Sequence, residues 1–238
     1  MINEKTVLTI IPARGGSKGI PNKNIRNLCG KPLIVWTIGE AKKSKYIDNI
    51  IVSTDSQEIA EVSQQYGADV PFTRPTELAD DKTPTNEVII HAIKWLETNK
   101  NIKYDIIILL QPTSPLRKVS HIDAAIQRFL ANPYAKSLIA IKEVEENPYW
   151  MKLIDDDGYL KNYISQRNNI TRRQNLPNTY ILNGAIYIMR AFDFLNYKSF
   201  DVDNTIPFIM DAKSSIDIDT EIDFKLAEVL LNRNLNEC

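Results

Sequence analysis

Residues 7–27 read VLTIIPARGGSKGIPNKNIRN. The first five form a mostly apolar run of the kind buried on both faces of a parallel sheet. The chain then delivers two adjacent glycines, Gly15 and Gly16, followed by Ser17, with Arg14, Lys18, Lys23 and Arg26 around them. Glycines let the backbone approach a ligand and turn several N–H groups into one concavity, which suits phosphate oxygens. Arg14, Lys18 and Lys23 add cationic charge, and an arginine can grip phosphate through two parallel hydrogen bonds. In open α/β sheets ligands sit at the carboxyl ends of strands, which is where this loop falls. The loop is neither a GxxxxGK[ST] phosphate loop nor a GxGxxG dinucleotide fingerprint. On composition alone a solvated basic turn and a phosphate cradle fit it equally well.

The same strand-then-helix rhythm extends along the chain. Residues 49–53 (NIIVS), 105–110 (DIIILL), 137–141 (SLIAI) and 185–189 (AIYIM) read as further buried strands. Between and beyond them, residues 33–43, 57–66, 86–97, 122–130 and 221–231 carry apolar side chains at three- and four-residue spacing. This alternation predicts an α/β fold with a mostly parallel sheet covered by helices on both faces. Pro32 and Pro84 stand at or just before a first helical turn, where proline is tolerated. Residues 143–180 break the rhythm with charge clusters, a DDDG turn at 155–158 and an Arg-Arg pair. So long a structureless loop is uncommon in a compact domain. We therefore expect a strand-rich lid or dimerisation excursion within a single domain spanning 1–238.

Bulk properties narrow the partners. Lys and Arg number 29 against 30 Asp and Glu, a net charge of −1 over 238 residues. No basic stripe is present, which argues against nucleic acid and for a small anionic ligand held by local placement of cations. No apolar run approaches the roughly 18–20 residues that span a bilayer, so no membrane association is expected. Neither Cys29 nor Cys238 has metal-ligand or disulfide spacing, and the N-terminus lacks signal-peptide character. Both features predict a cytoplasmic protein.

Three further segments carry chemistry. Residues 110–117 (LQPTSPLR) follow a buried strand, and two prolines stiffen the loop that presents Gln111, Thr113, Ser114 and Arg117. A hydroxyl-rich ligand and a simple capping turn are both compatible with it. In residues 215–221 (SIDIDTE), Asp217 and Asp219 are two apart, so in an extended chain their carboxylates share a face. Such a pair repels itself unless a cation bridges it, and Mg²⁺ favours few carboxylates plus phosphate oxygens. The alternative is a solvated strand leading to an N-cap at Thr220, with Asp223 in the place of the usual capping-box Glu. In residues 171–187 (TRRQNLPNTYILNGAIY) an Arg-Arg-Gln run precedes an Asn-Gly turn, offering a carboxylate fork or a solvated basic loop.

Together these stretches make one pattern. IPARGGSKGIPNKN (11–24), STD (53–55), RPTELA (74–79), LQPTSPLR (110–117), RRQNLP (172–177), NGAIYI (183–188) and SIDIDTE (215–221) resemble, in order and spacing, the acylneuraminate cytidylyltransferases. That family comprises the CMP-sialic acid synthetases and their relatives acting on legionaminic and pseudaminic acids. The resemblance covers nearly the whole chain. It implies a doubly wound, nucleotide-diphospho-sugar-transferase-like domain, a homodimer packed through the excursion, and transfer of CMP from CTP to a nonulosonic acid. By position, Arg14 and Lys23 match residues that hold the CTP phosphates, helped by the backbone from Ala13 through Gly15, Gly16 and Ser17. Asn24, Arg74 and Thr85 match nucleoside contacts. Gln111 and Arg173 match positions that orient the sugar acid, with Asn183, Tyr187 and Trp150 nearby. Asp217 and Asp219 match a pair that binds Mg²⁺ (or Mn²⁺), Asp217 with a catalytic role. His91 and His121 fall outside these motifs and read as structural.

Two departures bear on the substrate. Where sialic-acid-activating members carry a basic residue shortly after the proline matching Pro148, this chain has Tyr149-Trp150. Where they often carry Arg before NGAIYI, it has Ile181-Leu182. Both changes give a drier pocket, which favours a legionaminic-type acid with its acetamido and methyl groups over N-acetylneuraminate with its hydroxylated tail, because unpaired buried donors are costly. The alternatives are N-acetylneuraminate or pseudaminate as substrate, a cytidylyltransferase for the eight-carbon acid KDO, and a non-catalytic nucleotide-sugar binding protein.

Overall fold

The computed structural model describes residues 5–17, 19–164 and 176–236, with side chains through residue 232. Its centre is a six-stranded sheet in the order β10-β6-β9-β5-β1-β4. The strands are β1 (Val7–Pro12), β4 (Asn49–Ser53), β5 (Ile106–Leu109), β6 (Ser137–Glu143), β9 (Tyr180–Arg190) and β10 (Thr205–Ile209). β1 runs parallel to β4 and β5, and β10 parallel to β6, whereas β9 is antiparallel to both β5 and β6. The sheet is thus mostly parallel, with one reversed strand at its middle.

Alternation of side chains along the strands divides the core into two layers. Val7, Ile11, Ile50, Val52, Ile106 and Ile108 face one layer, where they meet Ile34 and Ile38 of α1 (Leu33–Lys43), Ile59 of α2 (Gln57–Gln65), and Ile122 and Phe129 of α4 (Val119–Leu130). Leu8, Ile10, Ile51, Ile107 and Leu109 face the other, against Ile89 and Ile93 of α3 (Thr85–Lys100) and Phe194 of α5 (Ala191–Tyr197). Helices on both faces make the doubly wound arrangement. Pro32 and Pro84 are the residues immediately before α1 and α3.

A third cluster fixes the loops. Phe224, Ala227 and Leu231 of α6 (Glu221–Asn236) share a helical face that packs on Ile20, Leu28, Leu33, Leu116 and Ile218. A short hairpin, β2 (Asn27–Leu28) and β3 (Lys31–Pro32), closes the glycine-bearing loop beneath it. Beyond β6 the excursion forms a second hairpin, β7 (Lys152–Ile154) with β8 (Leu160–Asn162), turning through Asp155 and Gly158. It agrees with the strand-rich reading of this region. Among the described residues no helix is long and apolar enough to cross a membrane.

Candidate active site

The carboxyl end of β1 and the loops that follow β1 and β5 open a cleft of ≈ 430 Å³ at one edge of the sheet. Arg14, Ser17, Lys23, Asn24, Arg74, Thr85, Gln111, Asp217 and Asp219 all line it. Nine residues singled out from separate stretches of sequence are therefore brought together in space.

The glycine-bearing loop is held from β4. Ser53 O accepts from Ala13 N (2.9 Å), and Asp55 Oδ1 accepts from Gly15 N (3.0 Å). A Cβ on Gly15 would lie 3.1 Å from Ser56 Cβ, so the loop packs against the residue that caps α2, with room only for glycine or a small shift. Gly16 lines a neighbouring groove with Arg14 and Ser17. Asn24 is buried and donates through Nδ2 to Arg14 O (3.0 Å), fixing the bend from which the arginine departs. Arg14 Nη2 pairs with Asp81 Oδ1 at 2.6 Å.

Lys23 joins the two charged segments. Its Nζ donates to Ile218 O (2.7 Å) and to Asp219 Oδ1 (3.2 Å). Ile218 is fully buried while Asp217 and Asp219 on either side face the cleft, as an extended chain requires. Gly19 lies so close that a Cβ there would sit 2.6 Å from Asp219 O. Asp217 is largely buried; desolvation pushes its pKa up, a hydrogen bond from Thr113 opposes the shift, and the Asp219 charge adds to it. Asp217 Oδ1 is a buried oxygen without a hydrogen-bond partner. An orphaned carboxylate oxygen beside a second carboxylate is what a divalent cation would satisfy. No group of three or more His, Cys, Asp and Glu forms a metal cage among the described residues. The fit is therefore to a cation that draws its other ligands from phosphate and water.

Some expected ligand groups have other work. Arg74 is buried, and its guanidinium donates through Nε to Ser53 Oγ (3.1 Å) and through Nη2 to Ser53 O. Desolvation lowers its pKa to about 10, opposed by Asp55. It walls the cleft and ties the loop after β4. Arg117, read from the sequence as a ligand-side group, is fully buried. It donates to Gln111 O (3.2 Å), Ala185 O (2.7 Å) and Thr37 Oγ1 (2.7 Å). Burial lowers its pKa to about 9 against the pull of Glu40 and Asp217. It staples the 110–117 loop to β9. Asn183 is buried, donating to Ser215 Oγ (2.9 Å) and accepting from Ala185 N (3.1 Å). Ala13 is buried, which leaves only its backbone for a ligand.

A second cavity of ≈ 300 Å³ adjoins the cleft, sharing Thr85 and Gln111 and adding Leu182, Tyr187 and Phe200. Gly184, at φ +74°, permits the approach of Gln111, since a Cβ there would fall on Gln111 Oε1. Burial, then the Asp217 charge, raises the Tyr187 pKa. Trp150 lines neither cavity; it ends a 3-10 turn, Pro148–Trp150, on the subunit surface. Arg172, Arg173, Gln174 and Lys18 lie outside the described residues. His91 stacks edge-on against Phe72, and His121 Nδ1 accepts from Lys118 N at the start of α4. Neither lines the cleft. Two acids went unnoticed in the sequence, Asp55 and Asp81. The first sits in the STD stretch, but nothing local marks the second as the partner of Arg14.

Known proteins place this arrangement. The family model described as "Cytidylyltransferase" matches residues 8–234. The CMP-N,N'-diacetyllegionaminic acid synthase of Legionella pneumophila is 40% identical over 230 residues, covering 96% of this chain and 97% of that protein. The N-acylneuraminate cytidylyltransferase of Escherichia coli is 35% identical over 221 residues, 93% of this chain but 51% of that protein. A CMP:2-keto-3-deoxy-manno-octonic acid synthetase solved with CTP superposes with a TM-score of 0.71 at 18% identity, over 96% of this chain and 99% of that one. This last likeness establishes the nucleotidyltransferase fold. With a match along nearly its whole length, a sheet-edge cleft and the ordered motifs around it, the chain belongs to the cytidylyltransferase family and is a nucleotidyltransferase.

Proposed function

We propose that the chain transfers CMP from CTP to the anomeric hydroxyl of a nonulosonic acid, releasing pyrophosphate, and that the acid is of the legionaminic type. The observation that carries this reading is the contact of Lys23 with Asp219 and Ile218 O. It places a cation from the glycine-bearing loop and the paired carboxylates in one cleft. The hydroxyl oxygen attacks the α-phosphorus as its proton passes to solvent water. The bond from that phosphorus to the bridging oxygen breaks, and pyrophosphate leaves with the electron pair. Negative charge grows on the phosphate oxygens, so Arg14 and Lys23 act by positioning and by electrostatic stabilisation. Thr85, Asn24 and the wall around Arg74 bound the nucleoside. Mg²⁺ or Mn²⁺ held by Asp217 and Asp219 would supply further neutralisation of the phosphates.

The adjoining cavity suits the sugar acid. Gln111 stands between the two cavities, and Leu182, Tyr187 and Phe200 give the second one an apolar wall. Ile181-Leu182 stand where sialic-acid-activating relatives often carry Arg, which supports an acid with a methyl end. The name of the Legionella relative points the same way. The apolar excursion supports a homodimer, and the product fits a cytoplasmic supply of activated sugar for surface glycans.

The test is pyrophosphate release with CTP, Mg²⁺ and a panel of sugar acids. Fastest turnover is expected with the diacetamido legionaminic-type acid. Equal turnover of N-acetylneuraminate discards the substrate assignment and leaves the reaction. No release with any nonulosonic acid discards the reaction itself.

A further inference from the structure

We propose that Asp81 is a positioning residue that holds Arg14 as an exchangeable counter-ion, and that the polyphosphate of the nucleotide displaces it. The inference rests on the reading of the cleft as a nucleotide site.

Among the described lining residues, the cleft carries three cations, Arg14, Lys23 and Arg74, and four acids, Asp80, Asp81, Asp217 and Asp219. Arg74 is engaged with Ser53, and Lys23 with Asp219 and Ile218 O. Arg14, the remaining cation of the three, is neutralised by Asp81 at 2.6 Å. Three cations against four acids give the described lining a formal charge of −1, so a polyanion is better held where one of these cations changes partner. The Arg14–Asp81 pair is the one suited to do so. Its side chains are 33% and 30% exposed, and partly exposed ion pairs contribute little net stability. Lys23, by contrast, is 14% exposed and bonded to a backbone carbonyl.

The location of the pair adds a second, geometric argument. Asp81 lies on the connection between the 3-10 turn Thr76–Leu78 and α3, the wall of the cleft opposite the glycine-bearing loop. Arg14 and Asp81 line both the main cleft and the ≈ 320 Å³ groove that continues it past Gly16 and Ser17. The ion pair is thus a bar between two stretches of one groove. A triphosphate whose outer phosphates take Arg14 opens the bar and runs through it. Cytidine alone carries nothing to exchange. Affinity therefore rises with polyphosphate charge, and Asp81 returns to Arg14 when pyrophosphate leaves.

The test measures binding of CTP, pyrophosphate and cytidine by calorimetry in Mg²⁺ buffer to the full chain and to Asp81→Asn, Asp81→Glu and Asp80→Asn. Asp81→Asn should tighten pyrophosphate and CTP on the order of 10-fold at low salt, with the gain shrinking as salt rises. Cytidine should be unaffected. Asp81→Glu, which keeps the charge, should bind as the parent does. Asp80→Asn removes one charge from the same cleft without touching the pair, and it should change pyrophosphate affinity by no more than about 2-fold. Unchanged or weaker pyrophosphate binding in Asp81→Asn overturns the exchange, as does an equal gain in Asp80→Asn, which would reduce the effect to general repulsion. A parent protein that binds neither CTP nor pyrophosphate overturns the nucleotide reading, and the exchange with it. A matched thermal transition for parent and Asp81→Asn excludes unfolding as the source of any difference.

Discussion

Asp217 is held in a state that its fold does not favour. Burial raises its pKa above the usual 3.8, outweighing the Thr113 hydrogen bond, and the charge on Asp219 adds to the effect. For an acid whose folded pKa lies above its unfolded one, folding is penalised at high pH. The penalty fades as pH falls through the folded value and is gone below the unfolded value. Asp217→Asn should therefore raise the thermal stability of the metal-free protein at pH 7–8. That advantage should disappear by about pH 3.8, the unfolded value. The same substitution should cut pyrophosphate release on the order of 10²–10³-fold, the scale for removing one electrostatic group from a reacting centre. Melting curves across pH in chelator, set beside turnover in Mg²⁺, check both halves. A variant that is less stable at pH 8 yet fully active would remove Asp217 from the role given to it. Gains in stability where activity is lost are the usual mark of a site kept under strain for function.

At the scale of elements, α6 shows how one stretch of sequence serves two ends. Thr220 Oγ1 accepts from Asp223 N (3.3 Å), and Asp223 Oδ2 accepts from Thr220 N (2.7 Å), a reciprocal box at the helix start. The residues just before it, Asp217 and Asp219, face the cleft. The capping reading of SIDIDTE is met by Thr220 and Asp223, which leaves the side chains of Asp217 and Asp219 out of the cap and facing the cleft. Thr220→Ala should cost about 1 kcal/mol of stability. It should also weaken turnover, because Phe224 and Leu231 hold Ile20 and Ile218, the buried anchors of the two charged segments. Denaturant titration and kinetics on one preparation measure both; a stability loss with unchanged kinetics would separate the cap from the site. Much of this architecture was legible in the sequence, since α1 and the strand at 49–53 fall where periodicity put them. α5 and β10 were not legible, for physical reasons. α5 has seven residues and no capping side chain, and so lacks a local start signal. β10 carries Pro207 in its centre, tolerated only because the strand lies at the sheet edge. The reversal of β9 is invisible too, because a strand buried on both faces reads the same in either direction. The site residues were legible as types; their partners were not. Arg117 looked like a ligand group because its loop is polar, and only the fold shows it turned inward to Ala185 and Thr37.

Among the described residues, the excursion after β6 exposes a group of large apolar side chains. Ile154, Tyr159 and Leu160 of the β7–β8 hairpin are 75%, 72% and 71% exposed, and Trp150, Ile181 and Leu182 add to the same excursion and the start of β9. Exposed apolar side chains gathered in one excursion support the homodimer interface proposed above. Its position argues for what the interface does: Leu182 belongs both to it and to the wall of the second cavity. A second copy of the chain packed here would cover the cavity's open side, whereas none of the described residues lining the proposed nucleotide cleft belongs to the excursion. Ile154 and Leu160 are register partners on the hairpin. Changing both to Asp places like charges side by side on a surface that must be dry to associate, and costs the isolated subunit little because both side chains are already in water. Light scattering at micromolar concentration should show the parent as a dimer and the double variant as a monomer. CTP affinity should stay within about 2-fold, because no cleft residue is touched, while KM for the sugar acid should rise on the order of 10-fold as the second cavity is left open to water. A double variant that remains dimeric would move the interface elsewhere. A monomer with unchanged KM would show that the second cavity needs no neighbour to close it.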